Sequence, residues 1–301
     1  MIDPRHLRVL REVSRTGSYS EAARALGYTQ PAISQQMRAL ERRVGTVLLA
    51  RAGRRMVLTE AGQALVRHAA GILGGLAAAE EEVAAIAGLR AGRVRLVSFP
   101  SGTSTLVPPA IARVTERYPG LRVSFVEAEP PDSIDALRSG ECDVALAFSY
   151  PEAAEGETAD LVRVPLLVDE LLALLPAAHP RAKMAETRLA DLAAERWIAG
   201  CPRCRGHLVH ACGDAGFTPT ITFATDDFVA VQGLVAAGLG VALVPHLVVA
   251  TFLHPGVVAL PVLPAASREI TALTMPELSA VPAVAVMLDA LVQVAEELRA
   301  A

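Results

Sequence analysis

The chain has 301 residues, 52 % of them hydrophobic and 20 % charged, with a net charge of −4. That length and apolar content suit two or three domains with their own cores, and no apolar run reaches the length of a membrane span. The opening Met1-Ile2-Asp3-Pro4-Arg5-His6 lacks the basic-then-apolar order of an export signal, so a cytoplasmic chain is expected, in which four cysteines are not a disulfide framework.

The charge is unevenly placed. Residues 1–59 hold eleven arginines and four carboxylates, a balance of +7, while the remainder, with 17 basic and 28 acidic residues, stands at −11. A basic head on an acidic body is the footprint of a phosphate-binding module joined to a part that does not bind phosphate. A Gly-x-Ser-x-Gly elbow, a P-loop and a His-Glu-x-x-His helix are all absent, so no enzyme is expected.

Residues 4–15 read as a first helix, with Leu7, Leu10 and Val13 at three-residue spacing, Pro4 in the first turn and Gly17 ending it. Ser18 and Glu21 have the spacing of a capping box and open a second helix that buries Ala22, Ala23 and Leu26. After a tight turn at Gly27-Tyr28, Thr29 caps a third helix with Pro31 in its first turn. Its buried stripe is Ile33, Met37 and Leu40; Gln30, Ser34, Gln35 and Arg38 fall on the opposite side. Gln and Arg read adenine and guanine edges, and a helix–turn–helix leaves its second helix free to enter a DNA groove. The β-prone runs around Gly53 read as a hairpin wing whose Arg51, Arg54 and Arg55 face phosphates.

Residues 59–89 read as one long helix. Leu65, Ala69, Ile72, Leu76, Ala79, Val83 and Ile86 alternate four and three apart, a heptad seam that asks for a partner helix; Gly74-Gly75 invites a bend. A dimer would set two reading helices on two half-sites, so a roughly palindromic operator is expected. From Arg93 the pattern alternates: strands at 94–99, 121–126 and 142–148 with helices at 102–118 and 133–139. A second set follows at 171–175, 189–194, 197–199, 204–215, 220–223, 228–237 and 241–244, then a strand at 269–274 and a helix at 281–299. This alternation argues an α/β domain with a mainly parallel sheet.

Residues 1–60 resemble the DNA-binding domain of the LysR-type transcriptional regulators. The likeness is carried by the Ala22-Ala23 pair before Leu26, the run Thr29-Gln30-Pro31-Ala32-Ile33-Ser34, its continuation Arg38-Ala39-Leu40-Glu41, Leu48-Leu49-Ala50-Arg51, and Thr59-Glu60-Ala61-Gly62. Pro176-Ala177-Ala178-His179-Pro180 and the stretch from Ala237 to Pro245 resemble the effector domain of the same family, which is similar to type 2 periplasmic-binding proteins. The resemblance implies a winged helix–turn–helix at 1–59, a linker and dimerisation helix at 60–89, and a two-lobed α/β regulatory domain at 93–301. Lobe I would take 93–162 and 268–301 and lobe II 168–262, with crossovers near 162–168 and 262–268. It further implies a sequence-specific regulator that needs no cofactor and senses a small-molecule effector. Its expected partners are double-stranded DNA, a second copy or a tetramer of itself, and RNA polymerase, with no membrane. The expected DNA contacts are Ser18, Thr29, Gln30, Pro31, Ser34, Gln35, Arg38, Arg51, Arg54 and Arg55.

Ligands of α/β folds sit at strand C-termini and helix N-termini. Pro100-Ser101-Gly102-Thr103-Ser104 follows such a strand, although the same loop serves as a helix cap; by resemblance, Ser101 matches a position that holds an effector carboxylate. Glu129 ends the next strand, and Pro130 stands where many relatives have a hydroxyl residue, which points away from a simple aromatic acid. Gly200, Cys201, Pro202 and Thr225 are expected from lobe II. Cys201, Cys204, His207, His210 and Cys212 crowd into twelve residues. Three readings stay open for them: an oxidant-sensing thiol pair favoured by Arg203 and Arg205, a Cys/His metal site, or small core residues without chemistry. By resemblance to peroxide-sensing relatives, Cys212 matches one of a reactive pair, while Arg203 stands at the other position beside Cys204. A freestanding solute-binding protein would leave the basic head unexplained, and an architectural DNA binder would leave the body unused.

Overall fold

Three capped helices and a hairpin make the head of the computed structural model, which describes residues 2–86, 92–152 and 156–300. Helix α1 (Pro4–Thr16) starts at Asp3, whose carboxylate accepts the Arg5 N–H at 2.9 Å, and stops at Gly17 with φ +69°. Helix α2 (Tyr19–Leu26) is capped by Ser18, and α3 (Gln30–Val44) by Thr29, whose hydroxyl accepts the Ala32 N–H at 3.4 Å. Strands β1 (Leu49–Ala52) and β2 (Arg55–Leu58) form the wing. The Glu41 carboxylate ties α3 to the wing by accepting the Leu48 N–H at 2.9 Å. Val9, Leu10, Val13, Ala22, Ile33, Met37, Leu40 and Leu48 form the head's core.

Helix α4 (Glu60–Ile86) runs unbroken through Gly74-Gly75. At its start a Cβ on Gly62 would lie 2.2 Å from the Leu48 carbonyl oxygen, so only glycine fits. The expected seam divides. Leu65 and Ala69 pack with Leu7 of α1, so the head itself covers the first part, whereas Ile72 and Val83 stand exposed. Residues 87–89 and the side chain of Ile86 lie outside the described residues. The same helix rests on the body: Leu278 approaches Gly74, Glu277 approaches Gly71, and the Arg11 guanidinium of α1 donates to the Ser139 carbonyl.

The body opens with β3 (Arg93–Ser98), α5 (Pro100–Thr105), α6 (Val107–Arg117), β4 (Arg122–Glu127), α7 (Asp132–Arg138) and β5 (Val144–Ser149). Strand β6 (Val162–Pro176) crosses to lobe II, which holds β7 (Thr187–Arg188), a 3₁₀ turn at Leu189–Leu192, β8 (Arg196–Ala199), α8 (Pro202–Asp214), β9 (Thr220–Ala224) and α9 (Phe228–Ala236). Then come β10 (Val241–Pro245), α10 (His246–Thr251) and β11 (Val257–Leu263), and the chain returns through β12 (Ser267–Thr274) to α11 (Pro282–Ala300). Strand order is β4-β3-β5-β12-β6-β10-β8-β9, with β11 paired to β6 and β7.

Two expectations need correction. The helix expected at 102–118 is two helices, α5 and α6, because Pro108 and Pro109 lack the N–H groups that would continue the ladder. The sheet is parallel only within each lobe; β6 and β12 run antiparallel to each other and to their lobe neighbours. The stretch expected as the first crossover is carried by the 15-residue strand β6, whose residues from Val162 to Glu170 find ladder partners along β12. Strand β11 and helix α10 were not anticipated at all.

Candidate functional site

On the head, α3 buries Ile33, Met37 and Leu40 and turns Gln30, Pro31, Gln35 and Arg38 to solvent, with Ser34 half-buried between them. These outward positions form one stripe because residues three and four apart share a helix face. Ser18 and Thr29 act locally, as caps of α2 and α3. Gly53, at φ +61°, turns the wing and leaves Arg51, Arg54 and Arg55 exposed, with the Arg51 guanidinium donating to the Gly53 carbonyl at 3.1 Å.

In the body, polar residues from distant strands meet under the surface. Arg268 of β12, 1 % exposed, donates to Asp169 of β6 at 3.0 and 2.8 Å and to the Ser101 hydroxyl of α5 at 2.7 Å. The second Asp169 oxygen accepts the Leu247 N–H at the start of α10. The guanidinium carbon lies 5.0 Å from the Phe99 ring centre and 4.6 Å from that of Phe148. A buried charge persists only when its hydrogen bonds are supplied, and here both ions have them.

One cavity is shared by the two lobes and another lies on lobe II. The first, of about 450 Å³, lies between the lobes, lined by Pro100, Ser104 and Glu127 on one side and by Asp226, Phe228 and Val248, among others, on the other. The second, of about 580 Å³, is lined by Gly200, Pro202, Arg205, Val209, Thr225 and Asp226. Glu129 stands near Asp226 with its Oε2 buried and unpartnered, and burial pushes its carboxyl up to about 8.

Residues 4–63 match the family model described as the bacterial regulatory helix-turn-helix protein, lysR family, and residues 87–296 match the LysR substrate binding domain. The chain belongs to the LysR family of transcriptional regulators. A probable HTH-type transcriptional regulator, LrrA, from Synechococcus elongatus is 31 % identical over 98 % of both chains. A probable hydrogen peroxide-inducible genes activator from Mycobacterium avium is 35 % identical over 80 % of this chain and 76 % of its own. Among solved structures, full-length OxyR from Pseudomonas aeruginosa superposes with a TM-score of 0.73 at 22 % identity, covering 97 % of this chain and 95 % of that one. CbnR in complex with its target DNA gives 0.56 at 23 % identity, over 97 % and 99 %.

Within this LysR body the expected effector residues separate. Gly200, Pro202 and Thr225 line the larger cavity. Ser101, Gly102 and Cys201 are buried, and Thr103 is half-buried. Ser101 is not a free hydroxyl: it lies in the first turn of α5 and accepts from Arg268. Gly102 is required, since a Cβ there would meet the Ser98 hydroxyl at 2.8 Å and the Phe99 ring at 3.1 Å. Arg268, Asp169, Tyr150 and Asp226 are not found by sequence reasoning; the readable signal for the first two is the adjacent pairs Asp169-Glu170 and Arg268-Glu269 in the runs that form β6 and β12, where the pleat turns one charge of each pair inward.

The Cys/His cluster also separates. Cys212 is fully buried in the lobe II core with Trp197 and Leu208, and burial pushes its thiol up to about 11. His207 turns to Glu152, with Nδ1 and Oε1 2.6 Å apart, and its ring stacks on Tyr150 at 4.0 Å. A metal site is therefore not assembled: among the described residues no group of three or more His, Cys, Asp or Glu side chains is placed to hold an ion. Arg203, expected beside a thiolate, instead reaches the Phe148 carbonyl and Glu157.

Proposed function

We propose that this LysR regulator reads a two-fold DNA site with Gln30, Ser34, Gln35 and Arg38 of α3, holds the backbone with Arg51, Arg54 and Arg55, and changes its grip when a small effector occupies the cleft between the lobes. The observation that carries the reading is the cavity of about 450 Å³ bounded by both lobes, whose lining includes Pro100 and Ser104 on either side of Ser101 in the chain. An occupant there touches lobe I and lobe II at once and so favours one lobe arrangement over another. Its lining holds Glu127, Asp226 and Asp227 and no basic side chain, which disfavours an anionic effector.

The reading works in a cytoplasmic homo-oligomer. Ile72 and Val83 leave an apolar stripe on α4, and the edge strands β4 and β9 expose Phe125, Val126 and Phe223; bare edges and apolar patches of this kind are covered in stable proteins. Pairing through α4 sets two α3 helices on adjacent half-sites.

The test is selection of genomic fragments on the full-length protein, followed by gel shifts on the recovered site at several salt concentrations. A sequence-selective, salt-sensitive shift is expected, and equal affinity for all fragments would sink the reading. Ser104→Trp, which fills the cavity from its rim, should keep the DNA site and abolish its response to cell-extract metabolites.

A further inference from the structure

At the start of α8, two thiols from one short phrase, Cys201-Pro202-Arg203-Cys204, face each other. Cys201 is the N-cap of the helix, and its sulfur accepts the Cys204 N–H at 3.4 Å. The two Sγ atoms lie 3.0 Å apart, with the Cys201 thiol donating. From lobe I, the Tyr150 hydroxyl donates to Cys204 Sγ at 3.4 Å. This is a different pair from the one the family resemblance pointed to, because Cys212 lies in the lobe II core.

The two thiols are unlike each other. The Cys204 thiol is held below its ordinary value, first by the hydrogen bond from Cys201 and then by the Arg268 charge and the Tyr150 hydroxyl, against the opposing effect of burial. The Cys201 thiol is held above its ordinary value by the same hydrogen bond and by burial. Burial alone accounts for most of the rise of Cys142 to about 12 and for that of Cys212 to about 11. One cysteine is thus a prepared nucleophile and its neighbour a proton donor, which is the division of labour a dithiol reaction needs.

We propose that Cys201 and Cys204 are a reversible dithiol–disulfide site for hydroperoxides, and that closing it loosens the contact between α8 and the end of β5. Once its proton has passed to solvent, the Cys204 thiolate attacks one peroxide oxygen. The O–O bond breaks, an S–O bond forms, and the departing alkoxide or hydroxide takes the Cys201 proton. The Cys201 thiolate then attacks Cys204 Sγ; the S–S bond forms, the S–O bond breaks, and the hydroxide leaving takes a proton from solvent. Two thiols and one hydroperoxide give one disulfide, one alcohol or water, and one further water. Each sulfur loses one electron and the peroxide gains two.

Closure brings the sulfurs to about 2.05 Å and removes the hydrogen bond that Cys201 donates. It also takes away the thiolate that accepts from Tyr150. Tyr150 is the ring on which His207 of α8 stacks, and His207 in turn holds Glu152. Arg203, between the two cysteines, reaches the Phe148 carbonyl and Glu157. The reacting atoms therefore sit inside the grip of α8 on lobe I, and moving them is felt at the lobe contact.

The test uses reduced full-length protein treated with hydrogen peroxide, then iodoacetamide under denaturing conditions, then trypsin. Cleavage at Arg203 separates the two cysteines, so the disulfide joins two peptides that are otherwise apart. The expected map is a Cys201–Cys204 link with Cys142 and Cys212 alkylated. Four alkylated cysteines, or a link that recruits Cys142 or Cys212, would overturn the site. Cys201→Ser should stop at a sulfenic acid on Cys204 that dimedone captures, Cys204→Ser should give neither product, and Cys212→Ser should behave as the parent. The second readout rests on the regulator reading: peroxide should shift affinity for the selected DNA site about tenfold. A disulfide without that shift overturns the coupling and leaves the thiol site standing, while DNA binding by the reduced protein tests the regulator reading separately.

Discussion

In the head, Gln30, Gln35 and Arg38 stand in solvent on α3 over a core cluster of apolar side chains. In the body, Ser101, Asp169 and Arg268 lie beneath the surface and are bonded to one another across 99 and 167 positions of sequence. The first arrangement leaves its polar groups ready for an external partner, so their loss removes an interaction with that partner and little else. The second satisfies its polar groups internally, so their loss leaves a buried charge uncompensated. Surface readers can change without endangering the fold, whereas the buried knot cannot.

The largest effect that would sharpen this contrast comes from breaking the knot. Arg268→Met should cost about 3–5 kcal/mol in urea denaturation by stranding Asp169, and the double change with Asp169→Leu should recover most of it. A silent single variant would erase the distinction. Next, Gln30→Ala or Gln35→Ala should cost roughly 1–3 kcal/mol of discrimination at one base position with an unchanged melting temperature. Arg54→Ala should weaken all sequences alike and flatten the salt dependence, as a gel-shift salt titration would show. Thr29→Ala, which removes the α3 cap, should lower stability by about 1 kcal/mol.

The last effect is a slope with pH. Glu129 holds its proton up to about 8 in the folded chain, against an ordinary value of 4.5. The folded state therefore binds that proton more tightly, and the associated stability is full below the ordinary value and lost as pH rises through about 8. Glu129→Gln should flatten the fall in melting temperature between pH 5 and pH 9; a parallel fall in both proteins would contradict the buried-carboxyl picture.

Legibility in the sequence follows the same divide. The caps Ser18 and Thr29, the glycines 17, 27 and 45, and the stripe Ile33–Met37–Leu40 act within a few residues, and each was readable where it stood. The alternation of the body marks most of its strands and helices with small shifts, but not β11 or α10. Contacts set by strand pairing were beyond reach: Arg268 reaches Ser101 only because β12 and β6 cross beside α5. By resemblance Cys212 is one of a reactive pair whose other position falls on Arg203 beside Cys204, yet Cys212 and Cys204 turn to different sides of α8, one to the lobe II core and one to Tyr150. The start of the α4 seam, Leu65 and Ala69, reads as free in the sequence because α1 supplies its cover from outside the periodic pattern.

Strand β6 has a consequence for how the body can move. Loop hinges absorb large dihedral changes at a few residues, but here the lobes are joined by the paired ribbon of β6 and β12, eight registered pairs long. Such a ribbon bends only by breaking ladder bonds, while it twists through small adjustments spread along its length. The irregularity between Ile270 and Thr271 gathers extra twist midway. The body is geared as a torsion bar, and whatever wedges between the lobes is transmitted as rotation of one end against the other.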